Sequence, residues 1–288
     1  MNPVSFPVKR HAWVTPAVVG LLLILRLVLL GLGGWLLSPA PAWLGPVYEA
    51  ATYLLTLFLI WWERDRLGEY HIGRLAVGLI LIFKPLQTLM LALSGMDLPM
   101  AFPRLPALIV CAASAVMLGW IVLAKPGLRA AGPADWRWFG LGALAGVATA
   151  VVLAFPMAAQ VRLAETQTGR ISFVMILFAL LRDFPYQLGY AAASEEPLFR
   201  GFLWGCLRRA GWKDRWIWLF QAGLFMLSHV YYAARLPYSF WVIVPVAALV
   251  LGWLAWRSRS IATSMAAHAA LNALGYLLGQ VVARWLFR

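Results

Sequence analysis

Acidic residues are scarce in this chain: 11 Asp and Glu stand against 24 Lys and Arg in 288 residues, and charged types together make up only 12%. A soluble α/β protein of this length needs far more charge to cover its surface, and its apolar runs would be strand-length, not close to twenty residues. Cysteine is nearly absent as well. Cys111 and Cys206 lie in separate apolar segments without C-x-x-C spacing, which excludes a disulfide framework or a thiolate zinc site and leaves both as small core residues. No H-E-x-x-H, internal repeat, low-complexity tract or soluble domain is found. No cleavage pattern follows the first apolar run, 13–37, which is too long for the core of a cleavable signal and reads as a signal anchor.

What the chain does contain is hydrocarbon. Hydrophobic residues make up 63%, mean hydropathy is +0.79, and there are 16 Trp and 15 Phe. These features predict an all-α fold: a polytopic transmembrane helix bundle of about eight or nine helices with an intramembrane polar cavity. The net charge of +13 does not point to nucleic acid, because the basic residues fall between apolar runs and form no aromatic-interleaved stripe. They read as topology signals, with Trp61, Trp62, Trp136, Trp138, Trp216 and Trp218 as interfacial belts.

Spans are placed at 13–37, 47–62, 75–94, 105–124, 138–157, 216–232, 240–256 and 261–286. A ninth lies in 171–207, which would reach roughly 55 Å if wholly helical against a core of about 30 Å. The RDFP at 182–185 is expected to break it into a short interfacial helix and one crossing, since Pro185 disfavours helix at Phe184. Lys9, Arg10, Arg64, Arg66, Arg74, Lys125, Arg129, Arg137, Arg208, Arg209, Lys213, Arg215, Arg257 and Arg259 then fall inside, with the C-terminus outside. Arg162, Arg170 and Arg235 run against this scheme. Lone Arg26 in the first span is expected to pack or snorkel. Glu49 and Lys84 are expected to pair within the bundle, with lining an access path as the alternative, and His11 and His71 to lie solvated or interfacial in loops.

Three polar motifs stand out in the second half. SEEPLFRG (194–201) carries Glu195, Glu196 and Arg200; FMLSH (225–229) carries Phe225 and His229; HAALN (268–272) carries His268 and Asn272. Residues four apart share a helix face. Counted from the basic helix ends, Glu195 and His229 lie roughly 20 Å deep and His268 to Asn272 about 12 to 18 Å deep. Two His, an Asn and two Glu at one level call for a shared water-filled cavity, whereas a single intramembrane His is usually a packing residue. An ion pair from Glu196 to Arg200 explains two of the charges in the first motif and leaves Glu195 over. Burial suits Glu195 to general-base work with His229 as its partner on the same water, and Phe225 is expected as a cavity wall.

In this order, on late membrane helices, EExxxR, FxxxH and HxxxN resemble the CPBP family, also called the ABI or CAAX protease family, which includes the type II CAAX prenyl endopeptidases. The likeness covers residues 190–275, including the FRG ending at Phe199–Gly201, and the first half carries no recognised motif. The Pro- and Gly-containing segment 125–137 reads as a linker and divides the chain into N-terminal transmembrane helices (1–124) and a CPBP-like catalytic helical core (138–288). The implied activity is intramembrane peptide hydrolysis by Glu195, His229, His268 and Asn272, with His268 and Asn272 stabilising the oxyanion and Glu196, Arg200 and Phe225 supporting the site.

No cofactor is required by this reading. A zinc-dependent version with Glu195, His229, His268 and Asn272 as ligands stays open, although an Asn amide is a poor zinc ligand. A non-catalytic scaffold or immunity protein of the same fold has no need of the full motif set, and a transporter would show repeated halves. The implied partners are a membrane-anchored protein or lipidated peptide substrate and the lipid bilayer, with no nucleic acid. Usage heavy in Arg, Ala, Leu and Trp points to a GC-rich bacterium, hence to an integral protein of the bacterial cytoplasmic (inner) membrane.

Overall fold

The computed structural model describes residues 11–32, 43–93, 104–124, 136–163 and 172–287. Lys9, Arg10, Lys125, Arg129 and Arg170, part of the charge-based topology, lie outside them. Among the described residues there are nine helices and no strand. They are α1 (Val14–Ile24, continued by π-helical turns over Leu25–Leu32), α2 (Leu44–Trp62), α3 (Arg74–Leu93), α4 (Arg104–Ala124), α5 (Trp136–Leu163), α6 (173–209), α7 (Asp214–Leu227), α8 (Val244–Ser258) and α9 (Ile261–Leu286). Six, namely α2, α3, α4, α5, α9 and α8 with its lead-in turn, are long and apolar enough to cross a membrane. The chain is an integral membrane protein.

Two expectations need correction. The RDFP does not break α6. The chain stays helical from 173 to 209 by alternating α turns with π turns at Ala179–Asp183, Leu188–Ala192 and Pro197–Phe202. Pro185 falls just after one change of hydrogen-bond register and Pro197 opens the last π segment, where a missing N–H disrupts the ladder least. The expected span 216–232 is also shorter than foreseen. α7 stops at Leu227 because the Phe225 carbonyl, which would hold the next turn, accepts instead from Ser228 Oγ (2.7 Å) and His229 Nδ1 (2.8 Å). The His229 N–H turns back to the Met226 carbonyl. These side chains compete with the helical ladder and end it.

Helix directions follow from contacts at the two ends. α5 and α9 run parallel, Gly142 against the Thr263 backbone, Gly146 against that of Ala267 and Gly279 against Met157. With no Cβ in the way, the two backbones approach as small-residue pairs allow in membranes. Arg162 lies 4.4 Å over the Phe287 ring at their far ends. At the near ends, Thr15 of α1 donates to Glu63 after α2, Arg208 and Arg259 converge on Asp214, and the Ile261 N–H donates to the His71 carbonyl at 2.9 Å. Helices α1, α3, α7 and α9 therefore start, and α2, α6 and α8 finish, at one face rich in Arg. Trp61, Trp136 and Trp216 are exposed, as interfacial belts require.

His71 corrects a third expectation, since it is buried at 2% exposure. It sits in the turn between α2 and α3, where Arg208 Nη1 donates to its Nε2 at 3.1 Å. Burial first, then the Arg208 and Arg259 charges, push its pKa down to about 3. The unfolded chain binds a proton near pH 6.5 that the folded one refuses until about pH 3, so stability falls as pH drops through that window.

Two outcomes follow from this packing. Gly146→Leu drives a side chain into the α9 backbone and should cost about 1–3 kcal/mol or more; an unchanged melting temperature in detergent would remove the seam from the argument. His71→Asn keeps a residue that accepts the left-handed backbone there (φ 57°) and removes the titration. Between pH 8 and pH 5 it should lose about 2 kcal/mol less stability than the wild type, read as a flatter melting curve against pH.

Candidate active site

The three motifs meet. α6 brings Glu195, α7 and its end bring Phe225 and His229, and α9 brings His268 and Asn272, all lining a cavity of about 650 Å³, with Glu196 behind His268. Glu195, Glu196, Arg200, His229 and His268 are each buried to 7% exposure or less. His268 Nδ1 lies 2.8 Å from Glu196 Oε1, so this nitrogen carries the proton and donates it to the carboxylate. Nε2 is left as an acceptor. It faces Glu195 Oε2 at 3.9 Å, and Glu195 Oε2 is buried without a hydrogen-bond partner. Two acceptors at that separation can be bridged by one water that donates to each.

Glu196 does more than neutralise Arg200. The ion pair is present, Arg200 Nη1 to Glu196 Oε1 at 3.4 Å, but the shorter contact is to His268. Arg200 also donates to the Ala248 carbonyl at 3.4 Å and lies 4.2 Å over the Phe225 ring. Phe225 is the wall foreseen, packed against the His229 ring at 4.7 Å and edge-on to Phe199 at 5.2 Å. Asn272 lines the cavity one turn beyond His268, its Nδ2 donating to Gln187 Oε1 at 3.2 Å.

The residue that sequence reasoning missed is Arg26. Its Nη2 donates to Glu195 Oε1 at 2.6 Å and lies 3.2 Å from His229 Nε2; its Nε donates to Ser228 at 3.3 Å and its Nη1 to Tyr48 at 3.5 Å. The charge that Glu196 and Arg200 left over on Glu195 is answered from the first helix. The signal available was the charge itself, since a lone Arg inside a span needs a partner. Glu49 and Lys84 pair as expected, at 2.7 Å, with Lys84 also 3.1 Å from Gln87.

A guanidinium occupies the space between Glu195 and His229, and among the described residues no three His, Cys, Asp or Glu are grouped to hold a metal ion.

Comparison with known proteins agrees with the motifs. Residues 177–274 match the family model described as Type II CAAX prenyl endopeptidase Rce1-like. The matched segment runs from α6 into α9, carries all seven motif residues, and bears out the resemblance to the CPBP family. It leaves Arg26 and Tyr48 outside. Neither a curated protein nor a solved structure matches the chain.

Arg200→Ala leaves Glu196 buried with one cation fewer, at a cost of about 3–5 kcal/mol. Adding Glu196→Gln should recover part of the melting temperature without restoring the site, because the acceptor orienting His268 has been weakened. If the double variant melts no higher than the single one, the two charges do not compensate each other.

Proposed function

We propose that the chain is an intramembrane endopeptidase that hydrolyses a peptide bond in a membrane-anchored protein or lipidated peptide by means of a water activated between Glu195 and His268. The observation that carries this reading is Glu195 Oε2, buried without a hydrogen-bond partner and facing His268 Nε2 at 3.9 Å beside the cavity. Peptide hydrolysis needs a base for water and donors for the oxyanion of the tetrahedral intermediate. Glu195 takes the proton from water and passes it to the leaving amine. His268, held by Glu196, orients the water, which is the task first given to His229. Asn272 has a second N–H on the amide fixed by Gln187, and this is the donor aimed at the oxyanion.

The proposed substrate is a segment that reaches the site from the face opposite the Arg-rich loops. Two features support that direction: Glu195 lies 14 residues before Arg209, roughly 20 Å from that face along α6, and the cavity extends to Gly45 and Gln160 near the other ends of α2 and α5. With positive charge inside a bacterial cytoplasmic membrane, the cut falls close to the outer leaflet, in a C-terminal tail of an exported protein or in an anchored peptide. In this proposal α1–α4 are not a separate unit, since α1 and α2 contribute Arg26 and Tyr48 to the cavity.

The test is turnover of palmitoylated, internally quenched fluorescent peptides by purified protein in detergent. Glu195→Gln and His268→Ala should each lower kcat by roughly 10²–10⁴-fold with folding retained. Near wild-type turnover by Glu195→Gln would end the general-base assignment.

A further inference from the structure

Arg26 does not merely neutralise a charge. A single nitrogen, Nη2, meets both Glu195 Oε1 at 2.6 Å and His229 Nε2 at 3.2 Å. Only an acceptor can face a guanidinium N–H, so Nε2 of His229 carries no proton. The other side of the ring agrees: Nδ1 lies 2.8 Å from the Phe225 carbonyl, which can only accept. A continuous chain of donors thus runs from the end of α7 to the carboxylate, His229 Nδ1–H to the Phe225 carbonyl, and Arg26 Nη2–H to both His229 Nε2 and Glu195 Oε1. The remaining guanidinium nitrogens are tied to Ser228 and Tyr48. The cation is thus held from α2 and from the end of α7.

We infer that Arg26 is a positioning residue for the proposed hydrolysis: braced by His229, it commits one oxygen of Glu195 and leaves the other, Oε2, turned to His268 and the water. This inference rests on the reading of the site given above. It changes the part played by two residues. His229 braces Arg26, and the first helix, outside the matched segment, becomes part of the machinery. The local backbone agrees, because Arg26 stands at the start of the π-helical continuation of α1 and Glu195 lies in the α turn flanked by the π segments Leu188–Ala192 and Pro197–Phe202. Such turns shift side chains off the regular helical register and recur at functional sites. Around Glu195 the other charged or titratable groups are Tyr48 from α2, Arg200 and Tyr190 from α6, Tyr231 after α7, and the two histidines. Arg26 is the only one of these that donates to it at hydrogen-bond distance among the contacts of the described residues.

The test measures kcat and KM on the same palmitoylated quenched peptides for wild type, Arg26→Ala, Arg26→Lys and Arg26→Ala supplied with ethylguanidinium. Arg26→Ala should lose at least about 100-fold in kcat with KM changed by no more than about 3-fold, and ethylguanidinium should return at least about 10-fold of the loss. Arg26→Lys should fall between them, since an ammonium replaces the charge without the planar fork. A wild-type kcat in Arg26→Ala, or a folded Arg26→Ala that neither the guanidinium nor lysine restores, reduces Arg26 to an anchor of α1 and overturns the inference. If Arg26→Ala does not fold, Arg26→Lys alone carries the kcat comparison, and a wild-type value there overturns the inference as well.

A second readout does not depend on turnover. With ring-¹⁵N histidine and His229→Ala for assignment, His229 should show a protonated Nδ1 and a hydrogen-bonded, unprotonated Nε2 in the wild type, with the Nε2 signal displaced in Arg26→Lys. A protonated Nε2 in the neutral ring overturns the brace even in an active enzyme. Absence of any cleavage by the wild type defeats the peptidase reading, while the tautomer measurement still decides whether Arg26 braces the pair.

Discussion

A charge buried among hydrocarbon-embedded helices needs an opposite one within reach, and within the helices of the described residues three ion pairs meet that need. Glu195 meets Arg26, Glu196 meets Arg200, and Glu49 meets Lys84. Two of the three pairs join distant parts of the chain, α1 to α6 and α2 to α3. Each half alone would be an unpaired charge in a medium that penalises it by several kcal/mol. The pairs therefore act as register pins: they allow α1, α2, α3 and α6 to assemble in one arrangement and oppose sliding among apolar surfaces that hydrocarbon itself does not distinguish.

Backbone geometry does the rest of the positioning. α6 carries both carboxylates and keeps a continuous helical backbone over two prolines by moving between α and π turns, so Glu195 and Glu196 stay buried instead of being lost to a kinked loop. α7 does the opposite and stops where the side chains of Ser228 and His229 claim its carbonyl, which leaves the imidazole held at a helix end. α9 brings His268 deep into the bundle because Gly142 and Gly146 let its backbone lie against α5. Small residues, prolines and a competing serine thus matter to the site as much as its charged groups do.

Within the site, hydrogen-bond direction separates groups that look equivalent in the sequence. The two histidines each have one nitrogen committed to a protein acceptor, Phe225 for His229 and Glu196 for His268. Their second nitrogens differ: one is met by Arg26, and the other faces a carboxylate oxygen that has no partner. The neighbouring glutamates diverge in the same way. Glu196 is shared between Arg200 and His268, whereas Glu195 is held on one side only.

The sequence by itself determined the class, the membrane setting, most of the helical spans, the family likeness over the second half, and motif residues of which Glu195, Phe225, His229, His268 and Asn272 line one cavity. It could do so because apolar run length, loop charge and four-residue spacing are local properties that a helix turns directly into faces and depths. Tertiary structure alone decided which partner each charge takes. Arg26 stands far from Glu195 in the chain, and nothing local to either tells that α1 lies against α6. It also decided that Pro185 does not end α6, that α7 ends short of His229, and that His71 is buried, because each outcome turns on carbonyls, guanidinium groups and packing supplied by other helices. Partner choice across a bundle is a long-range energy, and a pattern read along one strand of sequence holds only the demand for a partner, not its address.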